Sequence, residues 1–121
     1  MPAFLARSTG GEFRGDPTVA VELLQVRWIP KTEVVYIGKA DVRKGRTDAL
    51  RKRLIELRDY GRGDPKARHA GGKYLWQLPA GQDLIVAWRP TPGGRARDVE
   101  RELLADFEAR FGRLPFANIN R

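Results

Sequence analysis

Tyr36 and Lys39 stand where the β-branched run Val34-Val35-Tyr36-Ile37 stops at Gly38, so a phenol and an ammonium are delivered to one strand end. Val, Ile and Tyr suit a pleated, half-buried surface, and a glycine there lets another group approach the backbone closely. Lys39 is placed to reach solvent or an anion. Two further charged residues stand out by their place on a helical wheel. Arg53 falls on the margin of the apolar stripe made by Leu50, Leu54 and Leu57, whereas Lys52 falls on the opposite side. Glu100 falls in the middle of the arc formed by Val99, Leu103, Leu104, Phe107 and Phe111. An unpartnered buried carboxylate costs on the order of several kcal/mol. Glu100 is therefore paired with a cation, hydrogen-bonded, bound to a metal, or exposed because the helix tip overhangs the core. His69, the single histidine, lies in a polar glycine-rich loop. Its ordinary pKa of about 6.5 suits either a proton donor or a solvated bystander.

The charge distribution names a class of partner. The net charge is +8, and residues 39–73 carry twelve basic against five acidic side chains, whereas the flanking parts are nearly balanced. Positive charge concentrated in this way is what a polyanion-binding face requires, and nucleic acid is the leading partner. A solvated basic surface, or a face for an acidic protein, has the same composition. The turns at 61–66 and 68–73 combine glycines with Arg62, Lys66, Arg68 and Lys73, which can offer N–H groups and cations to phosphates or form plain flexible loops.

A chain of 121 residues with 41% hydrophobic residues fits one domain with a core of its own. With no cysteine and one histidine, disulfides, thiolate sites and histidine clusters for zinc are excluded. No apolar run reaches about 18 residues and no leader pattern is present, which predicts a soluble, cytoplasmic protein.

The elements that must position these side chains follow in order. Residues 1–17 read as a loosely attached arm, with Phe4, Leu5 and Phe13 able to tuck onto the body of a single domain at 18–121. Residues 19–28 predict a strand, 30–33 a turn, and 34–38 an antiparallel return. Thr47 or Asp48 can cap a helix running to about Tyr60 and closed by Gly61. Residues 73–77 suggest a short strand and 83–89 a clearer one, buried on both faces at its centre. A second helix is expected from the 95–98 region to Gly112, followed by an apolar tail at 114–120 that packs back and brings an amide with it. Tyr74, Trp76, Trp88 and Phe107 suit either the core or stacking on bases, and their spacing favours the core.

This order, with Tyr-Ile-Gly-Lys-Ala, then Leu-Arg-Lys-Arg-Leu, then one glutamate before a Pro…Asn tail, resembles the GIY-YIG nuclease family over roughly residues 19–120. Tyr36, Gly38 and Lys39 match the second family motif. Arg53 corresponds to the family arginine, Glu100 ahead of Leu103-Leu104 to its glutamate, and Asn118 to its C-terminal asparagine, with Glu102 and Asn120 as competing registers. The first motif, Gly-Ile-Tyr, is absent; Gln25-Val26-Arg27 stands there. The loop between Lys39 and Arg53 is longer than usual and carries Arg43, Lys44 and Arg46, which either contact phosphate or are surface.

The resemblance implies an α+β fold, a small antiparallel three-stranded β-sheet flanked by helices. It implies a metal-dependent endonuclease hydrolysing DNA phosphodiesters. Such hydrolysis needs a deprotonated water, counter-charge on the phosphoryl oxygens and stabilisation of the leaving oxygen. Glu100 would hold one Mg²⁺ or Mn²⁺, which needs few protein oxygens, and Arg53 would fork onto the scissile phosphate. Tyr36 would deprotonate the water if nearby cations lowered its pKa, and otherwise would only orient it. His69 is the candidate proton donor. A catalytically silent nucleic-acid-binding module is the alternative, since the tyrosine of the first motif is missing.

Overall fold

The computed structural model describes residues 1–12, 15–41, 48–67, 72–91, 93 and 95–119. Three α-helices occur among them, α1 at Val21–Arg27, α2 at Ala49–Gly61 and α3 at Ala96–Phe111, with 3-10 segments at Lys73–Gln77 and Gly81–Asp83. No β-strand occurs among the described residues. The expected three-stranded antiparallel sheet is thereby corrected to a helical architecture.

Residues 19–28, read as a strand, contain α1 instead. The reason is visible in which side chains are covered. Leu24 is fully buried and Val21 and Trp28 half-buried, a spacing of three and four, while Leu23 and Val26 between them are exposed. Glu22 in the first turn and Arg27 in the last also suit the helix dipole. The segment at 73–77 is a 3-10 helix with Tyr74, Leu75, Trp76 and Gln77 all buried, where a strand would have turned alternate side chains outward.

Residues 34–38, read as an antiparallel return strand, form no strand; the tail holds them instead of a strand ladder. Ala117 N–H donates to Val35 O at 2.9 Å, and the Asn118 side chain bonds both main-chain groups of Ile37. Residues 83–89, read as a strand buried on both faces at its centre, form no strand, and the segment is exposed: Ile85 is 95% and Trp88 65% exposed.

The core gathers Leu24, Tyr60, Tyr74, Leu75, Trp76, Leu78, Phe116 and Ala117, with Val35, Tyr36 and Leu57 packed against it. The arm is knitted into this core rather than loosely attached. Phe4 stacks on Phe116 with ring centroids 5.6 Å apart, and Leu5 and Thr9 N–H groups donate to Gln77 and Trp76 carbonyls. Phe13 lies outside the described residues.

Both longer helices form where the sequence places them. Asp48 stands at the α2 N-cap without a side-chain capping bond, and the helix runs through Gly61 to a cap at Arg62. Gly112, with φ of 81°, ends α3 by donating its N–H to Glu108 O. Thr47, the other capping candidate, lies outside the described residues. Among the described residues no helix is long and apolar enough to cross a membrane.

Candidate active site

The site begins with the segment at 34–38, because its main chain fixes where Tyr36 projects. Asn118 Nδ2 donates to Ile37 O at 2.8 Å, and Ile37 N–H donates to Asn118 Oδ1 at 2.9 Å. One buried amide thus does locally what a neighbouring strand would do. Arg27 holds that amide's own main chain, donating from Nη2 to Asn118 O at 2.7 Å and from Nε to Phe116 O at 3.2 Å. Its guanidinium also lies over the Tyr74 ring, 5.2 Å from the centroid. Arg27 thereby braces the segment at 34–38 through the tail.

The Tyr36 ring is sandwiched between two glycines. A Cβ on Gly38 would meet Tyr36 Cε2 at 2.9 Å, and one on Gly72, which has φ of 70°, would meet Tyr36 Cε1 at 3.2 Å. The close approach expected at Gly38 is therefore made by the tyrosine's own ring folding back. Gly72 was not foreseen as a site residue, although the Gly71-Gly72 pair signalled a tight backbone.

Around this phenol the structure gathers charges from two helices. The Arg53 guanidinium, from α2, and the Glu100 carboxylate, from α3, are both near enough to the Tyr36 phenol to act on it electrostatically. Glu100 in turn feels Lys39, Asp41 and Arg53, and Lys39 Nζ forms an ion pair with Asp41. Tyr36, Lys39, Arg53 and Glu100 are thus brought together from three segments far apart in sequence. Asp41 joins them without having been singled out; an acid two positions beyond Lys39 was the available signal. Glu102, the competing register, is exposed on α3.

Burial pushes the Tyr36 pKa above its ordinary value of 10; Arg53 opposes that rise, and Glu100 adds to it. Burial thus favours the neutral phenol, a form that can orient a water. Burial likewise raises Glu100, offset in part by Lys39 and Arg53 and reinforced by Asp41. A raised carboxyl pKa means that the folded state binds the proton more tightly than the unfolded chain. This contribution to stability is present in acid and is lost as pH rises through the folded-state pKa. Near neutral pH the ionised Glu100 is then a net cost. Glu100→Gln is expected to melt slightly higher than the parent near pH 7, with the difference vanishing below about pH 4. Thermal melts across that range check this, and a variant less stable at neutral pH contradicts it.

The other predicted contacts divide into two groups. Arg62 and Lys66 are exposed just after α2, and Lys73 is half-buried at the start of the 3-10 segment. Arg43, Lys44, Arg46, Arg68 and His69 lie outside the described residues, as does Asn120. Tyr74, Trp76 and Phe107 are buried in the interior, which leaves Trp88 as the exposed aromatic of the four considered for base stacking.

The donor set suits a hard divalent ion in a restricted way. Among the described residues there is no group of three or more His, Cys, Asp or Glu side chains. Glu100 is half-buried with Asp41 within electrostatic reach. One or two carboxylate oxygens fit Mg²⁺ or Mn²⁺, whose remaining positions water and phosphate oxygens fill. No family model, curated protein or solved structure matches the chain.

Proposed function

We propose that these residues form the active site of a metal-dependent endonuclease of the GIY-YIG kind that hydrolyses phosphodiester bonds in DNA. The observation that supports the reading is the convergence of the Tyr36 phenol, the Arg53 guanidinium and the Glu100 carboxylate, with Lys39 beside them. Arg53 offers paired N–H donors to the non-bridging oxygens of a phosphate and keeps its charge at any working pH. Lys39 adds a second cation beside Glu100. The Tyr36 hydroxyl orients an attacking water through a hydrogen bond; as that water's oxygen bonds phosphorus, the bond from phosphorus to the leaving oxygen breaks and the water's proton passes to surrounding solvent. Glu100 would hold a Mg²⁺ or Mn²⁺ ion, which when bound stabilises negative charge on the leaving oxygen. Asn118 acts one step back, by fixing the main chain that carries Tyr36.

A second reading, a silent nucleic-acid-binding module, is favoured by the burial that raises the Tyr36 pKa and so works against its use as a base. One assay separates them. Supercoiled plasmid and single-stranded DNA are incubated with the protein, with and without Mg²⁺ or Mn²⁺. Metal-dependent nicking is expected, reduced about tenfold to a hundredfold by Arg53→Ala and lost in Glu100→Gln, with Glu102→Gln unaffected. Binding without cleavage in every metal supports the silent module. Neither binding nor cleavage defeats both readings.

A further inference from the structure

We infer that Asp41 is a positioning residue that holds the Lys39 ammonium beside Glu100 and gives it up to an incoming phosphate. This rests on the nucleic-acid reading of the same site. Lys39 and Asp41 lie two positions apart, and their side chains meet as a direct ion pair. The pair is open to exchange: the Asp41 side chain is 63% exposed and that of Lys39 29%. Carboxylate and phosphate present the same anionic oxygen to an ammonium, and both cannot hold it in one geometry. Asp41 therefore occupies Lys39 until the substrate backbone displaces it.

The pairing has two consequences. A long, otherwise mobile lysine is kept beside Glu100 and Arg53 instead of sampling solvent. The displacement is also cheap: exposed ion pairs shift an equilibrium by about fivefold at most. When phosphate takes Lys39, Asp41 is left uncompensated beside it, which weakens the grip on the DNA backbone and favours release.

The test is the affinity of a short DNA duplex, without divalent metal and at fixed low salt, measured by fluorescence anisotropy. The proteins are the parent, Asp41→Asn, Lys39→Ala, the double variant, and Glu102→Gln as an exposed acid with the same change of charge. Asp41→Asn is expected to bind about threefold to fivefold tighter than the parent and tighter than Glu102→Gln. In the Lys39→Ala background the same change should add no more than Glu102→Gln does. If the parent binds and Asp41→Asn equals Glu102→Gln, or the gain survives without Lys39, the role of Asp41 is overturned while the nucleic-acid reading stands. If the parent binds no duplex at any salt, both are overturned.

Discussion

Gln77→Leu is expected to lower the melting temperature by about 10–20 °C, because one fully buried amide closes three hydrogen bonds between parts of the chain far apart in sequence. Val19 N–H donates to Gln77 Oε1 at 2.9 Å, and Gln77 Nε2 donates to Leu5 O and Val19 O, both at 3.0 Å. The side chain has no exposed surface. A leucine of similar size fills the space but leaves one N–H and two carbonyls unpaired, at about 1–3 kcal/mol each. The extra apolar burial returns only about 1 kcal/mol, so the loss wins by about 3–5 kcal/mol. At this chain length that corresponds to about 3–4 °C per kcal/mol. Gln77→Glu is the sharper variant. It keeps an acceptor for Val19 but turns an oxygen toward two carbonyls, so near neutral pH it should be at least as damaging. Urea or thermal unfolding measures both, and a Gln77→Leu variant within about 1 kcal/mol of the parent removes the amide from its proposed place in the core.

The reach of Gln77 explains what the sequence could and could not reveal. Helices α2 and α3 were legible because their apolar spacing extends over several turns and a cap or breaker lies near each end; the wheel turned Glu100 inward, where it is half-buried, whereas Arg53, set on the margin of the stripe, is exposed. The strand read at 19–28 failed because Val and Leu satisfy both periods over so short a run. Only burial of Val21, Leu24 and Trp28, with Leu23 and Val26 left out, selects the helix. Residues 84–89 failed differently: an apolar run states a need for cover, and no sequence pattern says which element supplies it. Asn118 was legible as an amide on a returning tail, but not its bonds to Ile37, which depend on where the tail lands. Gly72, Asp41 and Arg27 were missed for the same reason, since each acts through a partner distant in sequence or through a local geometry that residue type leaves open. The N-terminal arm looked loose because it lacks periodicity, and it is held by main-chain bonds that residue type does not announce.

Gly61→Ala, a change that helix propensity alone would favour, is expected to destabilise the fold by about 3 kcal/mol, or about 10 °C. Gly61 is the last residue of α2, where alanine is intrinsically better by about 1 kcal/mol. Its backbone, however, lies flat against the Trp76 indole. An added Cβ would sit 2.5 Å from Cε2 and Cζ2 and 2.6 Å from Cδ2, well inside any carbon–carbon contact. Trp76 is 5% exposed, so the ring cannot swing into solvent to make room. The helix end is pinned as well: Gly61 O accepts from Thr9 Oγ1 at 2.7 Å and from Gln82 Nε2 at 2.8 Å. Moving either partner breaks contacts with the arm or with the second 3-10 segment, and overpacking of this kind typically costs about 1–3 kcal/mol or more beyond any propensity gain. Trp76→Phe supplies the control. It removes the half of the indole that the new methyl strikes, along with an Nε1–H that has no hydrogen-bond partner among the described residues. Alone it should cost about 1–3 kcal/mol for the lost packing. Combined with Gly61→Ala, it should cost clearly less than the two single changes added together, because the clash has gone. A Gly61→Ala variant as stable as the parent, or strict additivity in the pair, contradicts the contact between α2 and the 3-10 segment.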